Sequence, residues 1–139
     1  MNTISLDTKF FTGGNATFTV ESVSGEYFTF KVRQPKPDMP FFASLLRGPN
    51  NETDYTYVGL MCPQTGSVRL TAKSKVTEDA KSVKVLRWAL KHAFGDKTLP
   101  DGYKVHHEGK CGCCGRKLTV PESIERGIGP ECWAKLGGV

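Results

Sequence analysis

The sequence predicts an α+β fold: an antiparallel β meander packed on one amphipathic helix, with a C-terminal zinc-knuckle module. Three observations predict it. Apolar and polar residues alternate with a period of two through much of the first 70 residues, as a sheet with one buried face requires. A stretch near residues 77–94 repeats its apolar residues at helical spacing. The last quarter reads Cys111-Gly-Cys113-Cys114-Gly-Arg116 and then Gly129-Pro-Glu-Cys132, the one place where the residue types demand specific chemistry.

The elements follow in order. Ala16, Phe18 and Val20 alternate with Thr17 and Thr19, and Phe28, Phe30 and Val32 alternate with Thr29, Lys31 and Arg33. Ser24-Gly25 between the two runs suits a hairpin turn. Phe11-Thr-Gly-Gly14-Asn is read as a turn before the first long strand. Pro35, Pro37 and Pro40 break the ladder, because proline has no backbone N–H to donate. A third strand is expected at 41–46, with both Phe41 and Phe42 read as core. A turn at Gly48-Pro49 follows, then a fourth strand near 55–61 and a fifth near 67–71.

The helix comes next. Thr77 is placed to cap it, and Glu78 and Asp79 suit the positive end of its dipole. Val83, Leu86, Leu90, Ala93 and Phe94 share one face, and Gly95 ends it. Residues 98–102 read as a Pro/Gly linker, and 103–107 as a short strand. Pro121 and Pro130 each suit the first position of a short terminal helix. Two units are expected: residues 1–97, the sheet with its basic helix, and residues 103–139, the zinc-binding module.

With 139 residues, 38% of them hydrophobic and 24% charged, the chain can bury a core without disulfides. No apolar run approaches the length that crosses a bilayer, and the N-terminus has neither the basic start nor the apolar stretch of a signal peptide. A cytoplasmic location is therefore expected, with the five cysteines as thiols or metal ligands. The net charge of +5 is uneven. Residues 1–70 carry six basic and six acidic side chains, residues 71–139 thirteen against eight. Such asymmetry points to a polyanionic partner.

Zinc takes four ligands in a tetrahedron, mostly thiolate or imidazole. Cys111 and Cys114 form a Cys-x-x-Cys turn, and Gly115 permits the tight backbone behind it. Cys132, at the start of the last helix, supplies a third sulfur that the helix dipole favours as thiolate. The spacing leaves the fourth ligand open between His107, His106 and Cys113, with His107 favoured because it lies four residues before the knuckle and Cys113 falls inside it. Three cysteines and one histidine close the tetrahedron to water, so Zn2+ here is read as structural. Its contribution to folding is on the order of 10–16 kcal/mol.

Residues 107–132 resemble a family of small phage and bacterial zinc-binding domains of unassigned function. The resemblance is carried by Cys111-x-x-Cys114-Gly-Arg116-x-Leu118-Thr119, Pro121-x-Ser123-Ile124 and Gly127-Ile-Gly129-Pro130-x-Cys132. Phe11-Thr-Gly-Gly and Asp54-Tyr-Thr-Tyr carry a weaker likeness to small phage proteins bearing this module. The resemblance implies a phage-encoded protein acting in the host cytoplasm, a ligand role for His107, and nucleic-acid work by association with helicase-like domains. Cys113 departs from the family's pattern.

Lys81, Lys84, Arg87 and Lys91 share one side of the helical wheel, with Trp88 among them. A cationic stripe around an aromatic suits a phosphate backbone and unstacked bases. Arg116, Lys117 and Arg126 extend the patch towards the knuckle. Tyr55 and Tyr57 point to one face of their strand, where they can stack on bases or line a protein interface. Cys62 is read as a buried thiol.

No nucleophile elbow, phosphate loop or paired carboxylate set is present in the sequence. The expected function is therefore a non-enzymatic, zinc-stabilised accessory protein that binds DNA or RNA. The alternative is a phage protein-interaction module that inhibits or modulates a host defence protein.

Overall fold

The computed structural model describes residues 2–4, 6, 8–50, 53–119 and 121–135. Strand β1 (Asn2–Thr3) and the short helix α1 (Thr8–Phe11) lead into β2 (Asn15–Glu21), β3 (Tyr27–Arg33), β4 (Phe41–Leu46), β5 (Tyr55–Met61) and β6 (Val68–Arg69). Helix α2 (Lys81–Phe94) follows, then β7 (Thr98–Leu99), β8 (Lys104–His107), α3 (Pro121–Arg126) and α4 (Pro130–Lys135). Six strands make one antiparallel sheet in the order β6-β5-β4-β3-β2-β8, and β1 pairs with β7 in a separate two-stranded ladder.

The alternation in β2 and β3 does what its period requires. Ala16, Phe18, Val20, Phe30 and Val32 are buried on one sheet face, joined by Phe41, Ala43 and Leu45 of β4. Val83, Leu86, Ala89, Leu90 and Ala93 of α2 are buried in the same cluster. At its centre Phe10, Phe11 and Phe18 pack edge to face, with centroids 5.2 Å apart for Phe10–Phe11 and 5.0 Å for Phe11–Phe18. Between β4 and β5 the register shifts: Ala43 faces Gly59, whereas Ser44 faces Tyr57. The extra residue, Val58, stays in the core and leaves Tyr57 on the opposite face.

Four expectations are corrected here. Helix α2 begins at Lys81, with Ala80 as its N-cap in extended backbone and no side-chain cap bond. The Thr77 hydroxyl donates instead to the Asp79 carboxylate at 2.5 Å, which spends the expected cap on a local turn. The expected linker at 98–102 contains β7, which pairs with β1. Phe42 is half-buried on the sheet face away from α2, not in the core. Cys62 is partly exposed, and its thiol donates to the Gln64 side chain at 3.2 Å.

The two expected units share one core. Strand β8, the first element of the expected zinc module, is an edge strand of the main sheet, with Phe18 opposite His107 and Val20 opposite Val105. Cys111, Leu118 and Ile128 are buried in the same cluster as Phe10 and Leu86. No helix among the described residues is long and apolar enough to cross a membrane.

Candidate metal centre and basic surface

The knuckle is a tight hairpin. Leu118 N–H donates to Gly109 O and Cys111 N–H to Arg116 O, both at 2.8 Å, while Gly115 N–H closes back on Cys111 O at 3.0 Å. Gly115 holds φ at +77°, a conformation that glycine adopts without strain. The turn aims amide protons at sulfur: Cys113 N–H and Gly129 N–H each donate to Cys111 Sγ at 3.3 Å. Gly129 immediately precedes α4, and α4 carries Cys132.

The sulfurs of Cys111, Cys113 and Cys132 lie within 4.8 Å of one another. Cys114 is exposed beside this group. Burial pushes the Cys111 thiol up, but the amides of Gly129, Cys114 and Cys113 and the Cys114 thiol outweigh it, bringing the pKa down to about 7. Burial, and then the charge on Cys111, raise Cys113 to about 11. Cys132 is pushed up to about 12, by burial first and then by Cys114 and Cys111. The cluster thus favours one thiolate and resists a second, which is the electrostatic problem that a cation at its centre solves. Three or more cysteines this close can hold a metal ion.

The scaffold beneath the cluster comes from the other end of the chain. Asn15 at the start of β2 donates its main-chain N–H to Gly112 O at 2.7 Å and its side-chain amide to Cys113 O at 2.6 Å. A Cβ on Gly13 would lie 2.6 Å from Cys113 Sγ, so only glycine lets the chain pass there. Phe10 fills the space that a Cβ on Gly112 or Gly127 would enter, and Gly112 N–H donates to Gly127 O at 2.8 Å. The Gly13-Gly14 pair, legible as a turn, is therefore also the surface on which the knuckle rests.

Of the expected ligands His107, Cys111, Cys114 and Cys132, the close sulfur group contains Cys111 and Cys132, with Cys113 as its third member. Both ring nitrogens of His107 are engaged: Nε2 with the Ile124 carbonyl, and Nδ1 as acceptor of Gly109 N–H at 2.8 Å. Its ring also lies 6.1 Å from that of Phe10. Of the three candidates left open for the fourth ligand, Cys113 is the one whose sulfur lies beside those of Cys111 and Cys132. His106 is exposed on the other face of β8, opposite Thr19.

The expected cationic stripe is interrupted. Lys81 pairs with Glu26 at 2.5 Å, and Arg87 pairs with Glu78 while its Nε donates to Val68 O at 3.0 Å. Trp88 is half-buried rather than presented for stacking, edge-on to Tyr103 at 5.2 Å and to His92 at 5.3 Å. It lines a groove of about 570 Å3 together with Phe28, Val85, Pro100 and Tyr103. Lys84 and Lys91, two turns apart, remain exposed. Arg116 and Lys117 are exposed on the knuckle, Arg116 within 3.8 Å of Glu131. Arg126 instead covers the Trp133 ring at 4.6 Å, with Lys9 at 5.0 Å from the same ring.

With that geometry in place, the comparison with known families concerns the knuckle segment. Residues 105–137 match DUF6011, a family of unknown function. The matched segment takes in most of β8, the cysteines Cys111, Cys113, Cys114 and Cys132, and α4. No curated protein and no solved structure matches the chain.

Proposed function

We propose that this is a non-enzymatic, zinc-stabilised accessory protein that binds nucleic acid, of the phage-encoded kind implied by the resemblance. Cys111, Cys113, Cys114 and Cys132 would hold the ion. A four-thiol set suits zinc, and the separations within 4.8 Å among the sulfurs of Cys111, Cys113 and Cys132 need little closure to reach the roughly 3.8 Å edge of a zinc–thiolate tetrahedron, which the exposed Cys114 would complete. Four protein ligands leave no site for water, so the metal would stabilise the fold and perform no hydrolysis.

The observation that carries the nucleic-acid reading is the surface charge. The chain's net charge is +5, and Lys84, Lys91, Lys104, Lys110, Arg116 and Lys117 are all exposed. The pairs that occupy Lys81 and Arg87 lie at the surface, where solvent screening keeps them weak and a phosphate can replace the carboxylate. Fluorescence anisotropy with labelled single-stranded and duplex oligonucleotides tests the reading. Affinity should fall at least tenfold between about 50 and 200 mM salt, as counterion release requires. No binding to DNA or RNA at low salt defeats the proposal.

One observation favours the second reading, a protein-interaction module directed at a host protein. The Trp88 groove is mainly apolar, and Val23 on its rim is 66% exposed. That reading expects a host protein to co-purify with the chain whether or not nuclease is present.

A further inference from the structure

The sheet face turned away from α2 has not been assigned a role, and its register arranges it in rows. Arg69 stands opposite Leu60, Leu60 opposite Phe42, Phe42 opposite Arg33, and Arg33 opposite Asn15. The next row runs Tyr57, Ser44, Lys31, Thr17. Tyr55 follows opposite Leu46. Paired residues share a face, so cations and aromatics alternate across four neighbouring strands.

We infer that this open sheet face is a seat for single-stranded nucleic acid, with Phe42 and Tyr57 as stacking platforms and Lys31, Arg33 and Arg69 as phosphate contacts. The inference rests on the nucleic-acid reading above and gives it a location and a substrate class. Three arguments support it. The first is charge. The two rows hold three cations and no carboxylate, and Lys73 and Lys75 are exposed on the segment that runs on from β6 along the same edge. The carboxylates closest in register lie at the margins: Glu21 opposite Tyr27 and Lys104, Glu108 bonded to Thr19, and Asp54 accepting the Asn50 amide. A polyanion fits such a face, whereas an acidic rim would repel it.

The second argument is shape. Phe42, Tyr55 and Tyr57 are each half-buried; the Tyr57 hydroxyl is hydrogen-bonded to the Thr71 hydroxyl at 3.2 Å, and the Tyr55 hydroxyl is buried. The Phe42 and Tyr57 rings lie 6.2 Å apart with planes inclined by 60°, and the Lys31 ammonium lies 4.4 Å over the Tyr55 ring. Aromatic rings standing on a sheet meet base faces, which a duplex hides and a single strand exposes. A row of five residues spans about 19 Å across strands, room for about four nucleotides, the lower end of the range for single-strand sites on β folds.

The third argument is continuity. The first row ends at Asn15, whose amide is bonded to Cys113, so the metal cluster fixes the end of the row in position. Beyond it the exposed Lys117 and Arg116 lie on the same knuckle.

The experiment uses the full chain with its metal, and anisotropy with a fluorescein-labelled 15-nucleotide single strand and the matching duplex. Arg33→Glu reverses an exposed charge and Phe42→Ala removes one platform. Lys84→Glu/Lys91→Glu reverses charge on α2, on the opposite side of the sheet. Arg33→Glu and Phe42→Ala should each weaken single-strand binding at least fivefold and the duplex less than twofold. The α2 double variant should weaken both probes by the same factor. A thermal melt of each variant separates lost binding from lost fold, and Arg33→Glu remains informative if Phe42→Ala melts early. Wild-type binding that neither sheet variant alters overturns the seat and leaves the nucleic-acid reading standing. Absence of binding to every probe overturns both.

Discussion

Asn15 and Cys113 are joined by a 2.6 Å hydrogen bond between the Asn15 side-chain amide and the Cys113 carbonyl, across 98 residues of chain. With the main-chain bond from Asn15 to Gly112, it fastens the start of β2 to the cysteine-bearing turn. Asn15→Ala should lower stability by about 1 kcal/mol, the usual net worth of one such bond. It should also release metal to a competing chelator at lower chelator concentration. Asn15→Asp should do more harm, because a carboxylate cannot donate to the Cys113 carbonyl and stands near sulfurs that carry charge. Urea unfolding and metal competition on the same samples check both.

Gly112→Ala places a Cβ 2.6 Å from both the Phe10 ring and the Phe10 carbonyl oxygen. The carbonyl cannot swing aside, so the knuckle must lift from α1. The expected loss is about 1–3 kcal/mol, typical of overpacking. Gly109→Ala is the control: its φ of +82° strains alanine, but its Cβ meets nothing within 4 Å. Its loss should stay near 1 kcal/mol. Equal midpoints for the two variants in urea would contradict the close approach.

Metal content separates the two ligand sets. Cys111→Ser, Cys113→Ser and Cys132→Ser should each reduce bound zinc well below one ion per chain. His107→Ala should retain the ion while lowering the melting temperature, because Gly109 and Ile124 lose their shared partner. Elemental analysis of dialysed protein gives the answer. Loss of zinc in His107→Ala with retention in Cys113→Ser would restore histidine as the fourth ligand.

Asp96 gives the sign of one acid effect. The Thr98 amide first, and the His92 ring second, hold its carboxyl below the ordinary value. A depressed folded pKa adds stability above the unfolded value, near 3.9, and that stability is lost as the pH falls through the folded pKa. Asp96→Asn keeps an acceptor for Thr98 but cannot titrate. Its melting temperature should therefore fall less than that of the wild type between about pH 5 and pH 2. Parallel curves would show that the Asp96 contact does not contribute.

The sheet was legible where one face is buried and the other is wet. Phe18 against Thr19 and Phe30 against Lys31 state the period of two without help from tertiary context. Phe42 was misread because a Phe-Phe pair at 41–42 shows no alternation, and one member of any such pair in a strand must face outward. Thr77 with Glu78 carries the chemistry of a helix start, yet the hydroxyl had a closer acceptor in Asp79. The cysteine cluster was legible from spacing, but the fourth partner was not. The His107 ring meets the Ile124 carbonyl and the Gly109 amide, contacts that only the folded chain brings together. Gly13 likewise looks like any turn glycine until Cys113 is set against it.

The pairing of β2 with β8 has a consequence for how the protein is made. Thr19 and Glu108 meet across 89 residues, so β2 leaves the ribosome with one edge bare and waits for most of the chain. Long-range strand pairing of this kind is slow and leaves that edge available to other chains in the interval. Cys111, Cys113, Cys114 and Cys132 are made after β8. On the zinc reading, ion capture has to wait until β8 and the knuckle have both been made. In a zinc-starved cell the defect should appear as aggregation of newly synthesised chains, while chains that folded earlier persist.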